Sequence, residues 1–401
     1  MRKAYYLKDI TTMKVSKLVK SMAVATGVIF SGTAMSDIIL MSPQKPGSGT
    51  SVWTEIIAKE FAKAPALNGE NVVITYNPGV RDMAGPNKFH KTERFKDNVI
   101  MVSHGGNGIS YVQENVKYDY TAYDSVCHQN LNIIMGKHVG VNEDEGISHI
   151  AGSGMVPEGL AIAMMIGGPY KTTQEYIDIF NDKVTWINGL NGSERHLAFT
   201  RGEVTASRAN PAQYISKIQP LVDAGKVETW LHHGILDIAN GGGTIDDPNY
   251  LGKRFEDVFE AKWGVAPSGD LYDAYSMIHS WRDAIQKAMW VNKGNPNTAK
   301  YRQACEQMAN NPESIKVFHK KIGKYDWIVG EDGNKTIDIL MGLIKDKPLQ
   351  ALVKFNQEAL GLKSIYKAEL VADLADSNSF IVPVRSSGSA GNWFTELLNI
   401  N

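Results

Sequence analysis

The chain has 401 residues, 43% hydrophobic and 21% charged, enough apolar material for a large core shared between two lobes. Setting aside the first 36 residues removes six of 42 basic and one of 43 acidic residues, leaving 36 against 42 and a net charge of -6, which argues against a nucleic-acid surface. Cys127 and Cys305 have no neighbour at metal-ligand spacing; two buried free thiols are the default expectation, with pairing open in an oxidising compartment.

The first elements look like a leader. Lys14, Lys17 and Lys20 precede the apolar run Met22 to Phe30, and Ala34-Met35-Ser36 places small residues before Asp37, the layout of a secretory signal peptide over residues 1–36 with Met13 as its expected start. Asp37 to Ala64 then reads as strand, glycine loop and helix. Ile38 to Met41 is a short apolar run, Gly47 and Gly49 allow close backbone approach, and Val52, Trp53, Ile56, Ile57 and Phe61 recur at helical spacing. A helix starting near Thr50 or Ser51 offers unpaired N–H groups to an anion, while Ser48, Thr50 and Ser51 add hydroxyl donors.

Strands and helices continue to alternate. Asn71 to Tyr76 and Asn98 to Val102 read as strands, the second ending in the loop Ser103-His104-Gly105-Gly106, and Asn130 to Val141 is a β-like run carrying the chain into a second α/β pattern. There Ile150 to Pro157 is a glycine loop entering a helix at Glu158, Val184 to Asn188 a strand, Ser193 a helix start, Val204 to Ala209 a strand, Pro211 a helix N-terminus and Val227 to His233 the next strand. From position 251 the spacing predicts mostly helix, including one continuous helix over positions 271–291. Ligands in open α/β sheets collect at the carboxyl ends of strands, where these glycine loops lie.

The order of these motifs resembles the solute-binding receptors of bacterial tripartite tricarboxylate transporters over roughly Asp37 to Leu362. Pro46-Gly47-Ser48-Gly49-Thr50-Ser51 is similar to the family's opening loop, with Ser51 where the family has an Asp, and Asn77-Pro78-Gly79 resembles its Asn-x-Pro-Gly element. Tyr118-Asp119-Tyr120 and Asp124-Ser125-Val126 resemble its Tyr-Asp segment. Ala151-Gly152-Ser153-Gly154 and Gly159-Leu160-Ala161 resemble its Gly-Ser loop and His-Leu-Ala, with Gly159 in the histidine's place. Ile187 to Gly192 falls on its Val-Pro-Tyr-Lys-Gly-Gly turn without the tyrosine or lysine, and Gln219 to Lys226 is close to its helix end before a return strand.

The resemblance implies an α/β, two-lobed periplasmic-binding-protein-like fold with a ligand cleft between lobes. It also implies a cofactor-free monomer that holds a small carboxylate through amides, hydroxyls and waters rather than a dedicated arginine, and delivers it to membrane transporter subunits. Expected segments are 37–138 for the first lobe, 139–265 for the second, 266–362 for the return and 363–401 for a C-terminal extension. The ligand residues expected are Ser48, Gly49, Thr50 and Ser51 from one lobe and Ser153 and Gly154 from the other, with Ser103, His104, Asn188 and Asn210 beside them.

Competing chemistry is weakly supported. Histidines 104, 128, 138, 149, 232 and 233 include no i, i+4 pair with a glutamate, so no metal site is expected. No Gly-x-Ser-x-Gly elbow occurs, Ser364 to Lys367 is an isolated serine-lysine spacing, and the glycine loops lack a P-loop lysine. Most of Trp53, Trp186, Trp230, Trp263 and Trp281 are expected in the core. The reading is therefore a binding protein and not an enzyme. The alternatives are a secreted bilobal enzyme using the same cleft, with His104 as its one evident base, and a receptor-derived scaffold that has lost its ligand.

Overall fold

A computed structural model describes residues 37–362, apart from 80–81, 114, 152–156, 191 and 250–251 and the side chain at 193. The leader, the extension from position 363, and Ser153 and Gly154 lie outside the described residues. The chain runs through β1 (Ile38–Ser42), α1 (Gly49–Phe61), β2 (Val72–Tyr76), α2 (Ala84–Lys91), β3 (Val99–His104), α3 (Gly105–Ser110) and β4 (Tyr123–Gln129). It crosses to β5 (Ile134–His138), β6 (Ile147–Ile150), α4 (Glu158–Gly167), α5 (Thr173–Lys183), β7 (Val184–Ile187), α6 (Gly192–Thr200), β8 (Ala206–Ala209), α7 (Pro211–Gln213), α8 (Gln219–Asp223) and β9 (Val227–His232). The short strands β10 (Ile235–Leu236) and β11 (Thr244–Ile245), then α9 (Phe255–Trp263) and α10 (Asp270–Asp283), lead back to β12 (Lys287–Asn292). After it come α11 (Thr298–Asn310), α12 (Pro312–Lys321), β13 (Trp327–Val329), α13 (Glu331–Leu343) and α14 (Asp346–Glu358).

Two larger sheets result. The first has the order β13-β4-β12-β3-β1-β2 and the second β7-β6-β8-β5-β9. In the first, β1 is parallel to β2 and β3, and β12 is antiparallel to both its neighbours; in the second, β6 is parallel to β7 and β8, and β5 is antiparallel to both of its own. The strands that enter each sheet from the other, β5 and β12, are thus inserted centrally. Burial follows position. The interior strand β3 is buried along its whole length, whereas the edge strand β2 alternates, as expected where one face meets solvent.

Several expectations are corrected. The helix expected over 271–291 ends at Asp283, and Lys287 to Asn292 is the strand between β3 and β4. A strand covered on both faces reads as an unbroken apolar run, which periodicity alone does not separate from a buried helix. The chain passes from β4 to β5 over positions 130–133, and β5 belongs to the second sheet. The stretch after His104 is helix and not a loop. Gly105 and Gly108 let α3 press on α10: a β-carbon at Gly108 would lie 2.2 Å from the Trp281 carbonyl oxygen. Finally, Cys127 and Cys305 are disulfide-bonded, joining β4 to α11 with their Cα atoms 6.5 Å apart.

Trp53, Trp230 and Trp281 are buried, as expected, while Trp186 and Trp263 are half-buried. Trp281 stacks on Tyr111 at 5.0 Å and donates to the Leu340 carbonyl, which ties α10 to α13.

Candidate functional site

A cleft of about 650 Å³ opens between the two sheets. One wall is the loop after β1 (Gln44 to Ser48), the start of α1, the loop after β2 and His104 at the end of β3; the other is Gly189, Leu190, Arg195 on α6, Arg208 on β8, Asn210 and Gln213. Arg282, Gln286 and Lys287 form the floor where the chain returns from α10 to β12. The walls approach closely at the mouth of α1, where a β-carbon at Gly49 would be 3.3 Å from Asn210 Nδ2.

Ser48 caps α1, its hydroxyl accepting from the Ser51 amide at 3.3 Å, and Gln44 Oε1 accepts from the Thr50 amide at 3.1 Å. These contacts consume two of the helix-end donors that sequence reasoning assigned to a ligand. Among the described residues the Gly49 amide keeps no protein acceptor. Asn210 caps α7 through its oxygen, which accepts from the Gln213 amide at 3.0 Å and leaves its amide nitrogen turned toward Gly49.

His104 is fully engaged. The Gly106 amide donates to its Nδ1 at 2.9 Å, so the ring proton sits on Nε2, 3.1 Å from Asp82 Oδ2. Gln44 Nε2 donates to the same carboxylate oxygen at 2.5 Å. Burial pushes Asp82 up, but the His104 contact outweighs it and the carboxyl stays below its usual range; burial likewise lowers His104 despite Asp82. With both nitrogens occupied, His104 has no lone pair for general-base work.

The remaining charge is positive. Arg282 Nη1 pairs with Glu158 Oε1 at 2.7 Å and its Nε with Asp283 Oδ1 at 3.0 Å, while Arg208 Nε lies 3.5 Å from Glu158. Burial raises the Glu158 carboxyl, yet Arg282 and Arg208 hold it well below its usual range. Arg195 is buried and forms no ion pair among the described residues, and its Nε lacks a hydrogen-bond partner. Burial first, then repulsion from Arg208, pushes it down to about 9. A guanidinium keeps its proton at any ordinary pH, so its burial beside Arg208 is a cost that a bound anion would relieve. Lys287, also buried, donates to the Gln286 carbonyl at 3.1 Å and the Thr50 hydroxyl at 3.3 Å, and burial pushes its amine down to about 7 against the pull of Asp82.

No family model matches the sequence, and no curated protein matches it. Solved structures do. A periplasmic binding protein, BugD, superposes with a TM-score of 0.52 at 12% identity, covering 80% of this chain and 97% of its own. A periplasmic transporter superposes with 0.51 at 14%, covering 80% and 97%. MatC from Rhodopseudomonas palustris with bound malate superposes with 0.48 at 12%, covering 80% and 98%. The chain has the two-lobed periplasmic-binding-protein fold.

Within this fold, the cleft gathers five of the ten residues expected from sequence: Ser48, Gly49, Thr50, His104 and Asn210. Ser51 is buried with its hydroxyl turned back to the Ser48 carbonyl, and Ser103 accepts from Trp290 Nε1 at 2.8 Å in the core. Asn188 ties β7 to the Leu360 carbonyl at 3.0 Å and does not line the cleft. Sequence reasoning missed Arg195, Arg208, Arg282 and Lys287. Arg208, beside Asn210 at a strand end, carried a usable signal; Arg282 and Lys287 were hidden inside the run read as one helix.

Proposed function

We propose that the chain is an extracytoplasmic solute receptor, of the kind that serves tripartite tricarboxylate transporters. It closes two lobes on a small carboxylate and presents the closed form to a membrane transporter. The supporting observation is the Arg195 guanidinium, which forms no ion pair among the described residues and is buried in an interlobe cleft with Arg208, Arg282 and Lys287, while Asp82 is the one carboxylate among the described lining residues. A carboxylate bound there would gain bidentate guanidinium contacts and relieve the cost of the buried cation. Contacts to both walls favour the closed state by the solute's differential affinity for it. The periplasm fits the same reading, and no helix among the described residues is long and apolar enough to cross a membrane. The engaged state of His104 weighs against the enzymatic alternative.

Calorimetry on the purified chain with mono-, di- and tricarboxylates, amino acids and sugars tests this. A carboxylate should bind and be recovered unchanged. Arg195→Gln should weaken it by about 10- to 100-fold, corresponding to about 1.5–3 kcal/mol for a charged hydrogen bond. The ligand-free variant should melt at the same temperature or higher, because a buried cation with no ion pair among the described residues has been removed. Equal affinity in the variant, or no stabilisation by any carboxylate, sinks the proposal.

A further inference from the structure

Below the cleft floor lies a second group of polar side chains that solute capture does not use. His233 follows β9, and His279 and Asp283 lie one turn apart on α10. All three are buried, and their potential ligand atoms lie within 4.8 Å of one another. His279 Nδ1 is 3.8 Å from Asp283 Oδ2. Both ring nitrogens of His233, both of His279 and Oδ2 of Asp283 have no hydrogen-bond partner. One unpartnered atom from each of the three residues points into this cluster, and buried polar atoms left without a partner are costly.

We propose that His233, His279 and Asp283 bind one divalent transition-metal ion of the zinc class at the hinge between the two sheets. Two imidazoles and a carboxylate are a donor set that this class accepts, with a coordination position left over. A Zn–N distance of about 2.0–2.1 Å sets tetrahedral ligand atoms roughly 3.3 Å apart, so the widest pair must close by a modest turn of an imidazole about its χ angles. The carboxylate is already aimed. Arg282 Nε occupies Asp283 Oδ1 at 3.0 Å and leaves Oδ2 facing the histidines, and Arg282 is itself matched by Glu158.

The location gives the ion a role. The His233 amide donates to the Ile133 carbonyl at 3.1 Å, and the Asp283 carbonyl accepts from the Leu131 amide at 3.0 Å, so both ligands flank the crossing at 130–133. An ion there would tie the exit of the second sheet to the helix that re-enters the first. It would brace the hinge without touching the solute.

The test uses the whole purified chain, stripped with EDTA, desalted and titrated with Zn2+ and separately with Co2+. One equivalent of Zn2+ should remain after gel filtration and raise the melting temperature, and Co2+ should give the intense visible bands of a four- or five-coordinate nitrogen and oxygen site. His233→Ala and His279→Ala, each checked for fold by circular dichroism, should lose affinity by about tenfold or more. The proposal is overturned if the parent chain retains no Zn2+, as it would if a water fills the site, or if folded forms of both variants bind as tightly. Should neither variant fold, the Co2+ spectrum of the parent decides: nitrogen-ligand bands support the site, and the spectrum of hexaaquo Co2+ overturns it.

Discussion

Lys287 shows how a single residue sets the conditions under which this cleft would work. Its folded value of about 7 lies below the ordinary 10.5, so between those limits the unfolded chain holds the extra proton. Stability contributed through this group therefore rises with pH across that window and is lowest below about 7. An anion in the cleft reverses the preference by favouring the ammonium form, so binding should take up a proton and weaken as pH rises through 7. Calorimetry at pH 6 and pH 8 with the best carboxylate should show this loss, and Lys287→Met should flatten it. The ligand-free variant should also be more stable than the parent at pH 6, with the gap narrowing by pH 9; a gap independent of pH would refute the assignment.

Among the elements, α3 and α10 depend on each other. The glycines of α3 serve helix contact where the sequence suggested ligand approach, and the Gly105 amide is already taken by the Gln286 carbonyl at 3.2 Å. Gly108→Ala would drive a methyl against the Trp281 carbonyl and should cost about 1–3 kcal/mol by overpacking, read as a lower denaturant midpoint. Gly342→Ala is its counterpart: this glycine lies exposed on α13 with nothing within 4 Å of a β-carbon, and the change should stabilise by about 0.5–1 kcal/mol. Equal effects at the two positions would show that helix propensity governs both and that the α3–α10 contact does not.

At the scale of the whole molecule, the disulfide and the sheet crossings hold distant parts of the chain together. Cys127 and Cys305 are separated by 178 residues, a span containing the whole second sheet. Cross-linking so long a loop removes much of the freedom of the unfolded chain. A Cys127→Ala, Cys305→Ala double variant should therefore lose about 2–4 kcal/mol, seen as a lower melting temperature with the cleft's affinity retained. Loss of affinity without loss of stability would place the disulfide in the binding machinery instead.

Local pattern was enough for the sequence by itself to determine the α/β class, the strand–loop–helix unit at Ile38 to Phe61 and the helix start at Pro211. Hydrophobic period, glycine placement and cap chemistry act within a few residues and survive translation into structure. The cations of the cleft were decided only by the tertiary structure. Arg195, Arg208, Arg282 and Lys287 come from separate elements, and their burial, the pairing of Arg282 and Arg208 with Glu158 and of Arg282 with Asp283, and the lack of an ion pair for Arg195 among the described residues exist only once both sheets are assembled. The same holds for the strand at Lys287, whose two covered faces erase its period, and for the cysteine pair. Charge and distance between remote residues are properties of the packed chain, and no local spacing encodes them.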